Sequence, residues 1–322
     1  MTVVIDKSKI ERIAKGLDVV SAMEDGFKAY SNGKAVIPPV AELLFDNPKG
    51  ETHIKYGYIK GEDYFVIKVA SGFYGNTKLG LSSSQGMMML SSQKTGETKA
   101  VLLDDGYLTN IRTAGAGALV AKYFAPKKIE AVGIIGAGIQ ARLQLQLMQK
   151  HTPCKEVWIW NKNRKGAEKF KEEFKGDFNI QIAENTKEVA RRCNVIITTT
   201  PSEIPLLKVE DIRKGTHITA VGSDTPEKQE LDTEIFSKAA IVVADSIAQS
   251  KSRGEIYQAM KAKVLTPDKV VELGEALQNE KMCRTNEEQI SVVDLTGVAV
   301  QDLMIAKAVY EDYLKTLERE KK

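Results

Sequence analysis

The sequence predicts an α/β protein: a Rossmann-type, doubly wound parallel sheet joined to a β-rich α+β region. Three observations carry this reading: an apolar run that turns on glycines into a helix, a βαβα alternation after it, and alternating strand-like runs before it. The glycine turn is Val132-Gly133-Ile134-Ile135-Gly136-Ala137-Gly138-Ile139-Gln140-Ala141, followed by the helical pattern Arg142 to Gln149. A strand that turns into a helix N-terminus gathers unpaired N–H groups and the positive end of the helix dipole around one point, which is a ready anion site. Gly136 permits the tight turn, Gly138 lets a pyrophosphate approach the backbone, and Ala141, in place of a third glycine, allows close helix–strand packing. G-x-G-x-x-[GA] also marks ordinary turns. Here the strand before it, the helix after it and a second strand at Glu156–Trp160 make it a dinucleotide fingerprint, with Ala137, Ile139 and Gln140 supplying backbone around the phosphates.

The elements follow in order. A helix from Lys9 through Ala14 breaks at Gly16, and a second helix, capped by Asp18, runs to Tyr30 before Asn32-Gly33. Pro38-Pro39 opens an extended section. Strand-like runs at His53–Ile59, Tyr64–Ala70, Gly86–Ser91 and Thr98–Leu103 are separated by turn signals, giving a mostly antiparallel region. From Thr109 an Ala/Gly-rich helix, whose small residues permit close packing, leads into the glycine loop. Beyond the loop come Val157–Trp160, helix Lys165–Phe174, Ile180–Ile182, helix Thr186–Arg192, Val195–Thr198, His217–Val221 and Ile241–Val243. Such alternation builds a parallel sheet. One long helix from Ala299 to Lys322 ends the chain and returns to the first region, so the domains read as 1–118 completed by 299–322, and 119–298.

Composition narrows the function. The 322 residues suggest two domains, 43% of them apolar and 28% charged, with no apolar run long enough to span a bilayer. The N-terminus lacks the basic and apolar regions of a signal peptide, which points to the cytoplasm. A net charge of +3 with no basic stripe and interleaved aromatics argues against nucleic acid. Cys154, Cys193 and Cys283 lie far apart, and His53, His151 and His217 form no ligand pair, so neither a disulfide framework nor a metal site is expected.

Taken together, Lys68 in its strand, Leu108-Thr109-Asn110-Ile111-Arg112-Thr113-Ala114, the Gly136 loop, Val221-Gly222-Ser223-Asp224 and Asp294 through Asp302 resemble the ornithine cyclodeaminase/mu-crystallin family over nearly the whole chain. The resemblance implies a homodimer whose β-rich domain, completed by the C-terminal helix, binds substrate and forms the interface, beside a Rossmann domain. It implies hydride transfer between a nicotinamide and the α-carbon of a small amino or imino acid, and it places Thr113, Thr199, Thr200, Val221, Gly222, Ser223, Thr296 and Gly297 at the cofactor. Imine chemistry needs a cation for the α-carboxylate, an acid/base near the nitrogen and a nicotinamide over the α-carbon.

Individual residues each have two readings. Lys68, in an alternating strand, is a surface lysine on a half-exposed sheet or, by the resemblance, the group that holds the carboxylate or assists proton transfer, its pKa lowered by burial beside Arg112. Arg112 either bridges to Asp104 or Asp105 or, by the resemblance, grips a carboxylate with its planar fork and borders the cofactor. Asp224 caps a turn before Pro226 or, by the resemblance, serves as acid/base at the substrate nitrogen. Lys55 is a solvated strand lysine or a cation standing where ornithine-specific relatives carry a glutamate. In that place it would repel a diamine and stand in for an arginine missing after Pro38-Pro39.

The second strand ends in Trp160-Asn161-Lys162-Asn163-Arg164 with no acid for the ribose hydroxyls. Lys162 and Arg164 either solvate a loop or, with Asn161, bind a 2′-phosphate, so NADP(H) is expected over NAD(H). The resulting function is an NAD(P)-dependent ketimine reductase or amino-acid dehydrogenase, such as an alanine dehydrogenase. Two others stay open: an ornithine cyclodeaminase with tightly held NAD, and a non-catalytic NADPH-dependent small-ligand binder of the mu-crystallin type.

Overall fold

The computed structural model describes residues 2–320. The chain divides into two compact units, one running to Arg112 and resuming at Val298, the other Thr113–Gly297. The division falls inside a continuous helix, a few residues before the 118/119 boundary read from the sequence.

The first unit opens with β1 (Val3–Asp6), α1 (Lys7–Ala14) and α2 (Val19–Ser31). The Asp6 and Asp18 carboxylates accept from Lys9 N–H at 3.0 Å and Ser21 N–H at 3.1 Å, fixing both helix starts. Asp6 starts α1 two residues before Lys9, where the sequence reading began it. There follow β2 (Ala35–Val36), β3 (Ala41–Asp46), β4 (Lys49–Ile59), β5 (Tyr64–Gly72), β6 (Ser84–Ser92), β7 (Thr98–Leu103) and α3 (Tyr107–Phe124). The strands form one sheet in the order β1-β7-β6-β5-β4-β2, with β3 also on β4; β1 is parallel to β7 and the other pairings are antiparallel. The alternation read in β4 to β7 is present. β1 went unread because four residues at a terminus show no period, and β3 because Leu43-Leu44-Phe45 is apolar on both faces.

The second unit contains β8 (Val132–Ile135), α4 (Ile139–Met148), β9 (Glu156–Trp160), α5 (Arg164–Glu173), β10 (Asn179–Ile182), α6 (Thr186–Arg192), β11 (Val195–Thr198), β12 (His217–Ala220), α7 (Ile235–Lys238), β13 (Ile241–Ala244), α8 (Glu255–Lys261), β14 (Val270–Glu272), α9 (Leu273–Ala276) and β15 (Ser291–Asp294). All eight strands are parallel, in the order β10-β9-β8-β11-β12-β15-β13-β14. β8, β11, β12, β13 and β15 are buried throughout, as apolar strands covered on both faces must be. β14 and β15 were not read from the sequence. Strand order reverses between β8 and β11, and in such sheets the crevice beyond the strand ends at this reversal takes the ligand.

α10 (Ala299–Glu320) ends the described chain and packs on α2, β4 and β5 of the first unit. The helix-bearing face of that sheet buries Ile5, Val66, Met88, Leu90 and Leu102 completely. The opposite face leaves Val4, Leu43, Phe45, Met87 and Leu103 between 41% and 59% exposed. Among the described residues no helix is long and apolar enough to cross a membrane, and no group of His, Cys, Asp and Glu is placed to hold a metal.

Small residues set the close approaches. A Cβ at Gly117 would fall 1.7 Å from Gln144 Oε1, and one at Gly133 would fall 2.5 Å from Val189 Cγ1 and 3.2 Å from Cys193 Cβ. Gly133 therefore seats α6 on β8. Gly133→Ala is expected to destabilise the protein by about 1–3 kcal/mol, the usual cost of overpacking a filled core. Urea denaturation checks this, and a loss well under 0.5 kcal/mol, taken as roughly the scatter of neutral substitutions, would show that the contact yields freely.

Candidate functional site

Two sites emerge, one in each unit. In the first, strand alternation puts Lys68 of β5 on the same face as the buried Val66, so the lysine faces the helices and its side chain is only 2% exposed. Its Nζ lies 3.2 Å from Asp302 Oδ1 and 3.1 Å from Oδ2, while Arg112 Nε lies 3.1 Å from the same Oδ1. Asp302 is fully buried in the first turn of α10, where the helix dipole favours a carboxylate. Gln301 steadies the group: its Oε1 accepts from Arg112 Nη1 at 3.0 Å and from Val298 N–H at 2.8 Å. Burial pushes the Lys68 ammonium down to about 8; the Asp302 carboxylate opposes this and Arg112 adds to it.

The plain readings of these residues give way. Lys68 is not on an open surface. Arg112 does not bridge to Asp104 or Asp105, because Asp104 accepts from Leu108 N–H at 2.7 Å near the start of α3 and Asp105 pairs with Lys7 at 3.6 Å. Lys55 is 8% exposed and is the direct cross-strand partner of Lys68, so both lysines rise from the same face of the sheet. Two residues along β4 on that face, His53 sits between Glu42 at 3.2 Å and Glu51 at 3.6 Å.

The second site is a cleft of about 490 Å³ at the reversal of strand order, lined by Gly136, Ala137, Gly138, Trp160, Asn161, Lys162, Thr199, Thr200, Pro201, Ser202 and Leu206. Gly136 has φ +104°, and a Cβ there would strike Thr199 Oγ1 at 2.7 Å, so glycine is required by backbone and by space. At Gly138, the N-cap of α4, a Cβ would meet no protein atom within 4 Å. The protein therefore leaves that side of the loop open, beside the first-turn N–H groups of α4, which by helix geometry have no carbonyl of their own helix to meet. A dinucleotide pyrophosphate would fit this cradle, against the backbone of Gly138, Ile139 and Gln140.

Other expected residues fall around this edge. Asn161 lines the cleft and braces the glycine loop: Oδ1 accepts from Ala137 N–H at 3.1 Å, and Nδ2 donates one of its two N–H groups to Asn163 O at 2.8 Å. Arg164 pairs with Glu168 at 3.3 Å on the surface and does not line the cleft, whereas Lys162 does. Val221, Gly222, Ser223 and Asp224 follow β12. Ser223 Oγ donates to Lys228 O at 2.8 Å, and Asp224, with a side chain 47% exposed, pairs with Lys228 at 2.6 Å. Thr296 and Gly297 follow β15, pinned by Asp245, which accepts from Thr296 Oγ1 at 2.9 Å and Gly297 N–H at 2.6 Å. Thr113 O accepts from Gln144 Nε2 at 3.2 Å. His217 is a core residue: burial lowers it to about 3, and its two ring nitrogens meet the hydroxyls of Ser291 and Thr219, both at 2.9 Å.

Sequence reasoning missed Asp302 and Gln301 as working groups and Trp160, Pro201, Ser202 and Leu206 as lining. For Asp302 a signal existed: a lone acid in Val298-Ala299-Val300-Gln301-Asp302-Leu303 sits at an apolar helix start, where burial requires a cationic partner.

The chain matches the family described as ornithine cyclodeaminase/mu-crystallin over residues 1–316. It is 39% identical over 299 residues to an uncharacterized cyclodeaminase of Sinorhizobium fredii, covering 92% of this chain and 90% of that protein. Its fold is similar to an archaeal alanine dehydrogenase dimer with bound NAD, at TM-score 0.90 and 36% identity over 98% of this chain and 97% of that one. It is equally similar, at TM-score 0.90 and 30% identity over 97% and 98% of the chains, to the Thermococcus litoralis Delta(1)-pyrroline-2-carboxylate reductase in complex with NADH and L-proline.

Removing Asp302 tests the first site. Asp302→Ala leaves Lys68 and Arg112 buried without their shared carboxylate and is expected to cost about 3–5 kcal/mol. Chemical denaturation reads this directly, and a loss below about 1 kcal/mol, the scale of an exposed pair, would mean the cations find other partners.

Proposed function

Because this chain belongs to the ornithine cyclodeaminase/mu-crystallin family, we propose that it is an NAD(P)-dependent oxidoreductase acting on the C–N bond of small α-imino and α-amino acids, an imine reductase or amino-acid dehydrogenase. The observation that carries this reading is the buried Lys68–Asp302–Arg112 group. When bound in the glycine-loop cleft, the nicotinamide cofactor gives or takes the hydride. Asp302 and Gln301 hold Arg112 with its fork preset, and a preset fork grips a carboxylate without the entropy cost of ordering it. Lys68 adds charge at the carboxylate and, titrating at about 8, can pass a proton near the imine nitrogen. Asp224, held by Lys228 at 2.6 Å, is the second acid/base group.

NADP(H) is the preferred cofactor in this reading and NAD(H) the lesser one. β9 ends without an acid, and Lys162 lines the cleft where a 2′-phosphate would lie. The uncovered apolar face bearing Val4, Leu43, Phe45, Met87 and Leu103 supports a homodimer, since an exposed antiparallel sheet face of this character needs a cover. A second reading, cyclodeamination of ornithine, draws on the Glu42–His53–Glu51 group, two carboxylates close to Lys55 that a distal amine could meet. Lys55 opposes it by charge.

The deciding assay follows oxidation of NADPH and NADH with pyrroline-2-carboxylate and with pyruvate plus ammonia, beside ornithine with catalytic NAD. Net cofactor oxidation, faster with NADPH, and a loss of about a hundredfold in Asp224→Asn are expected, the usual weight of an acid/base group. Proline and ammonia formed from ornithine without net oxidation would overturn this in favour of cyclodeamination, and tight cofactor binding with no turnover would point to a binding protein.

A pH dependence follows from Lys68. Its pKa of about 8 lies below the ordinary lysine value of 10.5, so the ammonium is present below pH 8 and is lost as pH rises through it. Pyruvate, which does not titrate here, should bind more weakly above pH 8, by at most about tenfold per unit for a single titrating group. Lys68→Met should bind it weakly at all pH values; wild-type affinity that stays level to pH 10 would remove Lys68 from the carboxylate.

A further inference from the structure

The carboxyl edge of the parallel sheet holds an acid that the chemistry above does not use. Glu230, in the stretch between β12 and α7, is fully buried. Its Oε1 accepts from Thr200 N–H at 2.6 Å and Thr200 Oγ1 at 2.7 Å, and its Oε2 accepts from Gly222 N–H at 3.0 Å. Thr200 belongs to the loop after β11 and lines the cleft; Gly222 belongs to the loop after β12. These loops touch backbone to backbone, for a Cβ at Gly222 would fall 2.1 Å from Thr200 O and 2.6 Å from Thr200 N. Glu230 is itself anchored: its N–H donates to Glu255 Oε1 at 2.6 Å, and Leu231 N–H donates to Glu255 Oε2 at 3.1 Å, with Glu255 opening α8.

We propose that Glu230 is a positioning residue of the cofactor site, whose ionised carboxylate clamps the loop after β11 to the loop after β12 and so fixes the wall of the cleft at Thr200. The proposal rests on the reading of that cleft as the nicotinamide dinucleotide site. Three donors converge on one carboxylate, and only the ionised form, an acceptor on both oxygens, satisfies them all. Protonation puts an O–H against one of these donors and breaks a strand of the clamp. The groups facing Glu230 are the Thr198 and Thr200 hydroxyls, the Thr200 and Gly222 N–H groups, and the carboxyls of Glu255 on α8 and Asp294 on β15. Burial pushes Glu230 up to about 7, with its hydrogen bonds opposing, and raises Glu255 and Asp294 well above the usual carboxylate range. The clamp is therefore complete above neutrality and loosens below it.

The test is NADH binding by fluorescence titration from pH 6 to pH 8, NADH being chosen because it lacks a titrating 2′-phosphate. Wild-type protein should bind more weakly at pH 6 than at pH 8, by up to about tenfold, the limit for one group titrating at about 7. Glu230→Gln, whose NH₂ must face one of the donors, should bind at least about tenfold more weakly at pH 8 and show no pH dependence, while its kcat at saturating cofactor stays within about twofold. Thr200→Val, which deletes one donor and leaves the carboxylate, should weaken binding a few-fold and keep the pH dependence; it decides the matter should the glutamine variant fold poorly. Wild-type affinity that is level with pH, or a glutamine variant that binds like wild type, overturns the clamp alone. No NADH or NADPH binding at any pH overturns the cofactor reading and the clamp with it.

Discussion

The Asp302 carboxylate, held between Lys68 and Arg112, is the interaction on which the first unit depends. A strand lysine and a helix arginine are buried there, which water would oppose strongly were the charge not met. The carboxylate that meets it comes from α10, 234 residues along the chain from Lys68. β5, α3 and α10 are thus closed on one another by a charge as well as by apolar packing, which explains why the unit needs both ends of the sequence. The same arrangement has a chemical consequence. Cations held rigid and partly desolvated attract a carboxylate more strongly than solvated ones would.

The second unit solves the opposite problem. Its ligand edge is braced by acids: Glu230 joins two loops, Glu255 caps the backbone of Glu230 and Leu231, Asp245 pins Thr296 and Gly297, and Asp294 accepts from Ile256 N–H at 2.9 Å. Glu230, Glu255 and Asp245 accept from backbone N–H groups of the stretches between elements, and Asp294 accepts from the first turn of α8, where no intrahelical carbonyl is available. The loop glycines divide their work accordingly. Gly136, Gly222 and Gly254 are required by neighbouring protein atoms, while Gly138 faces open space, the side on which the proposed pyrophosphate would lie.

Much of this was legible in the sequence where a period or a backbone requirement writes itself locally. β5 alternates, so Lys68 could be placed on one face; Asn185 caps α6 at Glu188 N–H, and the helix was read at Thr186–Arg192 as observed. The glycine loop declared itself because left-handed backbone at Gly136 admits little else. Long-range pairing left no such local trace. Asp302 stood inside a stretch that the family resemblance had already marked, yet its role as counter-ion depends on a strand at the other end of the chain. Glu230 was passed over because a buried acid that accepts only from backbone and hydroxyl groups looks, in sequence, like any loop glutamate. Asn161 carried the right residue type for phosphate, and its bonds to Ala137 N–H and Asn163 O within the loop left no trace in the sequence.

In the proposed reaction the Lys68–Arg112 group receives the substrate carboxylate. A crystal structure of the protein with NADPH and pyruvate, or with L-alanine and the oxidised cofactor, tests it most directly. The carboxylate is expected within hydrogen-bonding distance, about 2.7–3.2 Å, of Lys68 Nζ and the Arg112 guanidinium, with Asp302 still joining the two cations. A carboxylate bound elsewhere, with Lys68 and Arg112 both turned wholly to Asp302, would contradict it and leave the buried group as a purely structural closure.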